Sequence, residues 1–215
     1  MERGGEGGSG GRGAGATGRL ARAERREALL DAAASLAAQG SPEAITMEAV
    51  AEHAGVSRPL VYRHFPNRDE LVAAVFQRET AHLHEQLTAE VSAAGTIVDM
   101  FAALAHGALR AAAEQGHLFA TLRSAGAWSP EVRRQQRERD AATARAFGTR
   151  ASRELGADGP ATRATTDLLL SLIDPLLARW RDDPTPEHAA LLEAAYMRIV
   201  SASLAALARE GAGPG

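Results

Sequence analysis

The sequence predicts an all-α fold in two parts. An N-terminal three-helix unit is built around a helix-turn-helix, and a larger C-terminal helical domain follows. Three observations carry this. Apolar residues recur at helical spacing through most of the 215 residues, and no stretch alternates with the period of a strand. Between Thr46 and Leu71 two short helical patterns meet at Gly55, and a third opens after Pro66. Two long apolar patterns near the C-terminus are joined by the short turn from Asp182 to Pro186, the arrangement of an antiparallel helical hairpin.

Composition narrows the function classes. An apolar fraction of 45% can form a core. There is no cysteine, which excludes a disulfide framework, a thiol nucleophile and a cysteine zinc site. All 24 basic residues are arginine, the side chain best suited to bidentate contacts with phosphate and guanine. The net charge of −3 hides an uneven distribution. Residues 12–26 hold five arginines against Glu24 alone, and residues 57–68 hold three against no acid. Residues 70–215 carry fifteen arginines and eighteen acids. A basic end on a mildly acidic body suits a protein that docks a polyanion one way round. No unbroken apolar run approaches the about 20 residues of a membrane span. The N-terminus also lacks the apolar stretch of a secretory signal. A soluble cytoplasmic protein without a membrane partner is the expectation.

Residues 1–18 contain nine glycines and little to bury, so a disordered arm is expected there. Its Arg12, with Arg19 just beyond, leaves open an arm that touches a DNA backbone or a passive tail. Residues 19–39 read as a helix with Leu29, Ala33 and Leu36 along one face, ended by Gly40. Its Arg22, Arg25 and Arg26 either reach phosphates or belong to a solvated face. The first domain is expected over residues 19–75.

Thr46 is placed to cap the next helix, in which Met47, Val50, Ala51 and Ala54 share a face. Gly55 ends it where a left-handed residue is needed, and Val56 fills the corner. Ser57 is the following N-cap, and Pro59 sits in the first turn, where its missing N–H costs least. Pro66 ends this helix, and Asn67 with Glu70 starts the third one in the manner of a capping box. Small Ala51 permits a close helix crossing and Gly55 a short reversal, which together are the needs of a helix-turn-helix. The second helix would lie in the major groove of double-stranded DNA. The three arginines, His64 and Tyr62 between Ser57 and Arg68 offer it a cationic surface.

The stretch VSRPLVYRHFPNRDEL resembles the DNA-binding segment of the TetR family of bacterial transcriptional regulators. The resemblance rests on Tyr62-Arg63-His64-Phe65, a turn, and a basic residue three before Leu71, and it extends over about residues 20–75. It implies that Ser57, Arg58, Pro59 and Arg63 face base edges, while Tyr62, His64, Arg68 and the Thr46 region hold phosphates. Arg68 replaces the family's usual lysine, and Leu60 stands where a small or polar residue is common. The resemblance also implies a homodimer reading an inverted repeat. Its two recognition helices would then lie about 34 Å apart, one turn of the duplex.

The rest, residues 76–215, reads as a helical regulatory and dimerisation domain. A helix from Arg68 to about Ala94 is long enough to belong to both parts, a strut by which a distant event could turn the reading head. Helices are expected over 96–114 and 131–155, with a short segment 117–124 set off by Gly116. Candidates for a pocket taking a small hydrophobic effector are Met100, Phe101, Leu104, His106, Phe119, Arg123, Trp128 and Phe147, mostly apolar groups with a few polar ones. Each Phe or Met among them suits core packing as well. The last helices, about 161–181 with a kink at Pro175 and 186–210, carry more apolar surface than one contact needs. Leu169, Leu172, Ile173, Leu176, Trp180, Leu192, Tyr196 and Ile199 are therefore the dimerisation candidates.

No cofactor is expected. His82 and His84 point to different helix faces, and no H-x3-H or HExxH occurs, so no metal site is expected either. The chain holds no P-loop, no G-x-S-x-G and no G-x-G-x-x-G after a strand, and a non-enzyme is expected. The expected function is a sequence-specific repressor released from an inverted-repeat operator by a small hydrophobic ligand. A ligand-independent DNA-binding organiser or an activator stands as the alternative.

Overall fold

The structure, a computed structural model, describes residues 11–126, 130–156 and 159–211, and no strand occurs among them. The helices are α1 Gly11–Ala38, α2 Met47–His53, α3 Arg58–His64, α4 Arg68–Ser92 and α5 Ile97–Ser124. They continue with α6 Pro130–Leu155, α7 Pro160–Ser171, α8 Ile173–Asp182 and α9 Pro186–Gly211. A 3-10 turn, Pro42–Ala44, lies between α1 and α2. The chain divides into two units: Met1–Phe76 with His117–Ala127, and Gln77–Gly116 with Trp128–Gly215. The first unit thus includes a segment, 117–127, that the sequence reading assigned to the C-terminal domain.

In the first unit, α1 packs on α2 and α2 on α3. Leu29, Leu30, Ile45, Val50, Val61, Leu71, Val72 and Val75 are almost wholly buried and form its core. The local chemistry explains the corners. The Thr46 hydroxyl accepts from the Ala49 N–H at 3.0 Å, capping α2. At the other end the Val56 N–H reaches back to Ala51 O at 2.9 Å and the Gly55 N–H to Glu52 O at 3.1 Å. That pair of bonds is a Schellman closure, and it requires the left-handed residue that Gly55 supplies with φ 65°. α3 ends at His64, because Phe65 precedes Pro66 and is driven to extended backbone, φ −135° and ψ 111°. Asn67 Oδ1 accepts from the Glu70 N–H at 2.9 Å and starts α4.

One boundary differs here. α1 begins at Gly11, so residues 11–18, expected in the disordered arm, are helical. Extending an existing helix gains one hydrogen bond for each residue fixed, a term the glycine count leaves out. Residues 1–10 of that arm lie outside the described residues.

In the second unit the core gathers Phe101, Phe147, Trp180, Tyr196, Val200 and Leu204 with their neighbours. The Phe101 and Phe147 rings meet edge to face at 4.7 Å. Tyr196 donates its hydroxyl to Leu169 O at 3.1 Å, and burial pushes its phenol pKa upward. α5 is unbroken through Gly116, where the sequence suggested a stop. A single helical glycine costs only about 1 kcal/mol relative to alanine, and the surrounding alanines and leucines carry the helix across it. Thr96 and Asp99 cap its start, with the Asp99 N–H on Thr96 Oγ1 and the Thr96 N–H on an Asp99 carboxylate oxygen, each at 3.1 Å. The expected kink is present: the helix breaks at Leu172 into α7 and α8, just where Pro175 removes a donor and crowds the carbonyl four residues earlier.

By length and composition α9 is apolar enough to cross a membrane over Pro186–Glu210, although the sequence holds no unbroken apolar run of that length. Only 22% of its apolar window is buried within the chain. Leu191 and Ile199 are among its exposed residues.

Replacing Thr46 by Ala should cost about 1 kcal/mol of stability in urea unfolding, the usual loss of an N-cap. A change within experimental error would show that the cap does not hold α2.

Candidate nucleic-acid interface

α3 is seated by Val61 and Phe65, both buried, so its other residues face outward. Ser57, Arg58, Pro59, Tyr62 and Arg63 are exposed, and His64 is half-buried. No acid lies on this helix. Ser57 occupies the N-cap position, but its hydroxyl makes no capping bond. It therefore remains open to another partner. Thr46 uses one lone pair of its hydroxyl in capping α2, and the O–H can still donate. Arg58 is ion-paired with Glu48 of α2. Sequence reasoning missed Glu48. It stands in the first turn of α2, where an acid suits the helix dipole, and nothing local links it to the next helix.

Beside α3, a hollow of about 290 Å³ is lined by Arg22 and Arg25 of α1 together with Arg63 and His64 of α3. The Arg26 guanidinium lies 4.9 Å from the centroid of the Phe65 ring and ties α1 to the end of α3. Burial holds the His64 pKa below its ordinary value, and the charges of Arg22, Arg63, Arg26 and Arg25 add to the effect.

Arg68 is placed differently from the expectation that it holds a phosphate. Its guanidinium donates to Pro42 O and Ile45 O, both at 2.7 Å, and to Ala125 O at 3.1 Å. These carbonyls lie at the start and just past the end of the 3-10 turn and just after α5, so the side chain ties these segments of the first unit to α4. The sequence placed a cation at this point. It could not say that backbone acceptors from residues 23 to 57 positions away would converge on it.

Comparison with known proteins agrees with this geometry. Residues 29–75 match the family described as "Bacterial regulatory proteins, tetR family". Residues 29–75 thus carry a domain of the TetR type. Curated relatives align over about a third of the chain or less. A repressor, KstR, of Mycolicibacterium smegmatis is 37% identical over 73 residues, 34% of this chain and 36% of the relative. The KstR repressor of Rhodococcus jostii is 45% identical over 56 residues, 26% of each chain. The chain thus aligns with about a third or less of these relatives' lengths. A transcriptional regulator from Pseudomonas aeruginosa PAO1 shares the fold, with TM-score 0.71 and 17% identity over 90% of this chain and 96% of that one.

Beyond the TetR-family domain, the described candidate ligand residues have different surroundings. Met100, Phe101 and Phe147 are core residues of the second unit, and Leu104 packs on that core. His106 is exposed and pairs with Glu193 at 3.4 Å. Phe119 belongs to the first unit, edge-on to Phe76 at 5.9 Å. Trp128 lies outside the described residues, as does the Arg123 side chain. The sequence pattern marked apolar positions correctly but could not separate a pocket wall from a filled core. A cleft of about 510 Å³ does open in the second unit, lined by Val91, Ser92, Met100, Arg145, Ala146, Thr149, Arg150 and Arg153. Among the described candidates, Met100 lies in its lining. Among the described residues no group of three or more potential ligands could hold a metal ion.

The dimerisation candidates divide likewise. Leu169, Leu176, Trp180 and Tyr196 are buried in the chain's own core, and Leu172, Ile173 and Leu192 are packed against it. Ile199 is 49% exposed, and Leu168 and Leu191, which the expected set omitted, are 68% and 70% exposed. A broad apolar face shows that two surfaces are covered, and only packing shows which one the chain covers itself.

Arg68→Ala should lower stability by about 2 kcal/mol, since hydrogen bonds from a charged donor contribute more than neutral ones and this side chain is 34% exposed. The salt dependence of DNA binding should stay as in the wild type. A flattened salt dependence with unchanged stability would restore Arg68 to the phosphates. Glu48→Gln removes the partner of Arg58 and an acid from the binding face. DNA affinity should rise by about threefold, within the range of an exposed ion pair, and an unchanged affinity would show that the pair does not compete with DNA.

Proposed function

We propose that this protein is a homodimeric transcriptional regulator that represses from an inverted-repeat operator and is released by a small molecule. One observation carries the reading. The exposed face of α3 presents Ser57, Arg58, Pro59, Tyr62 and Arg63 without an acid, on a helix seated by buried Val61 and Phe65. Such a face can place Arg58 against base edges and Tyr62 against the backbone. The names of the KstR relatives support repression.

The dimer is supported by the outer surface of α7 and α9. Leu168, Leu191 and Ile199 are exposed there, and α9 leaves most of its apolar length uncovered. An apolar surface of this kind is covered by a partner, and the same face of a second copy closes the assembly by twofold symmetry. Two α3 helices then read an inverted repeat. The ligand part rests on the cleft near Met100. Its three arginines beside Val91, Met100 and Ala146 suit an effector with an anionic group on an apolar body. Such an effector weakens DNA binding to the extent that it prefers the DNA-incompatible state and no further. The unbroken α4, with residues in both units, supports a link between the two.

A second reading, a ligand-independent organiser or an activator, is favoured by the solid packing of Phe101 and Phe147 where a hydrophobic pocket was expected. One relative, FasR of Mycolicibacterium smegmatis, is named an activator.

Selection of random duplexes by the purified protein should recover an inverted repeat, and binding at two salt concentrations should show a steep dependence. Arg58→Ala should relax preference at one position of each half-site, whereas Leu191→Glu should give a monomer by sedimentation and lose the paired motif. Recovery of single half-sites by a wild-type monomer would sink the dimer.

A further inference from the structure

We propose that Arg22, Arg25, Arg63 and His64 form one binding site between α1 and α3 for a phosphodiester of the DNA backbone, and that the site takes up a proton when it fills. The proposal rests on the DNA-binding reading above and adds a site to which α1 contributes.

The hollow has a volume of about 290 Å³. A liquid water occupies roughly 30 Å³, so there is room for a phosphate group and several waters. Among the described residues, those that line it are arginine or histidine, and none is a carboxylate. Arg22 and Arg25 are three apart on α1 and therefore neighbours on one helix face. Arg63 and His64 end α3, where the helix dipole favours cations. Among the described residues Arg22, Arg25 and Arg63 make no ion pair, whereas the nearby Arg26 lies 4.0 Å from Glu27 and over the Phe65 ring. Three guanidinium groups are thus gathered around a concavity that no described carboxylate lines.

His64 records this field. Burial opposes its protonation, as do Arg22, Arg25 and Arg26 from α1 and Arg63 from its own helix. No other charged group is resolved as acting on it. In the free protein its pKa lies below the ordinary 6.5. A phosphodiester in the hollow reverses the sign of the nearest charge and raises that pKa. Binding and protonation are then linked. Below the free-protein pKa His64 is charged in both states, and above the bound-state pKa it is neutral in both. Between the two, affinity falls as pH rises, with a slope that approaches one proton. The duplex is the natural source of the phosphate. α3 supplies both the base-facing residues and half of the hollow, so a backbone strand beside the groove it reads runs past this site.

The test uses the full chain and the duplex recovered by selection. Dissociation constants are measured from pH 5.5 to 8.5 at fixed ionic strength, and again across salt at pH 7. Wild-type affinity should fall with rising pH, and His64→Gln should remove that slope. Arg22→Ala with Arg25→Ala should weaken binding to specific and random duplexes alike and reduce the salt slope by about two. Circular dichroism should show folded variants, since both arginines are exposed. A pH-independent wild type, a His64→Gln protein that keeps the slope, or an unchanged salt slope in the double variant would overturn the proposal while DNA binding stands. Failure of the wild type to bind any duplex would overturn both. Thermal stabilisation by inorganic phosphate that His64→Gln abolishes, with DNA binding unaffected in every variant, would assign the hollow to a free anion instead.

Discussion

The reversal at Gly55 is the constraint on which the DNA-binding end depends. Two backbone bonds, from the Val56 and Gly55 N–H groups to Ala51 O and Glu52 O, close α2 and turn the chain. They need one residue in the left-handed region, a conformation that costs any residue with a Cβ about 1–2 kcal/mol. Once the turn is set, α3 buries Val61, with Phe65 just past its end, against its neighbours. That choice decides the rest. With those two inward, Ser57, Arg58, Pro59, Tyr62 and Arg63 point to solvent, and the helix becomes a reading surface.

The arginines around this surface separate by what surrounds them. Arg68 is encircled by backbone carbonyls and works as a brace. Arg26 lies over an aromatic ring and near Glu27, and Arg58 is held by Glu48. Arg22, Arg25 and Arg63 face one another across a hollow with no acid in its lining. Identical side chains within one small unit therefore serve folding, alignment and anion binding, and the difference lies in their neighbours alone. The depressed pKa of His64 is the measurable trace of the last group.

The second unit poses the complementary problem of apolar surface. Phe101 packs edge-on against both Phe147 and Tyr196 in the core. The open cleft carries arginines, which moves the expected effector from a purely apolar molecule towards an amphipathic anion. On the far side of the hairpin, Leu168, Leu191 and Ile199 remain uncovered. A helix that is apolar nearly all round is stable in water only when both its sides are covered.

The sequence by itself determined the caps of α2 and α4, the corner at Gly55 and the break before Pro175. These depend on contacts within a few residues, where spacing and side-chain type suffice. It also placed apolar residues on the helices that carry them. The tertiary structure decided the partners. Arg68 meets carbonyls up to 57 residues away, Glu48 and Arg58 face each other across two helices, and α1 joins α3 to form the hollow. It also decided that Leu169, Leu176, Trp180 and Tyr196 fill the chain's own core while Leu168 and Leu191 do not. Periodicity identifies a helix face that avoids water. Which neighbour satisfies it is settled only when separate segments are brought together, because that depends on distances in space that the order of residues does not contain.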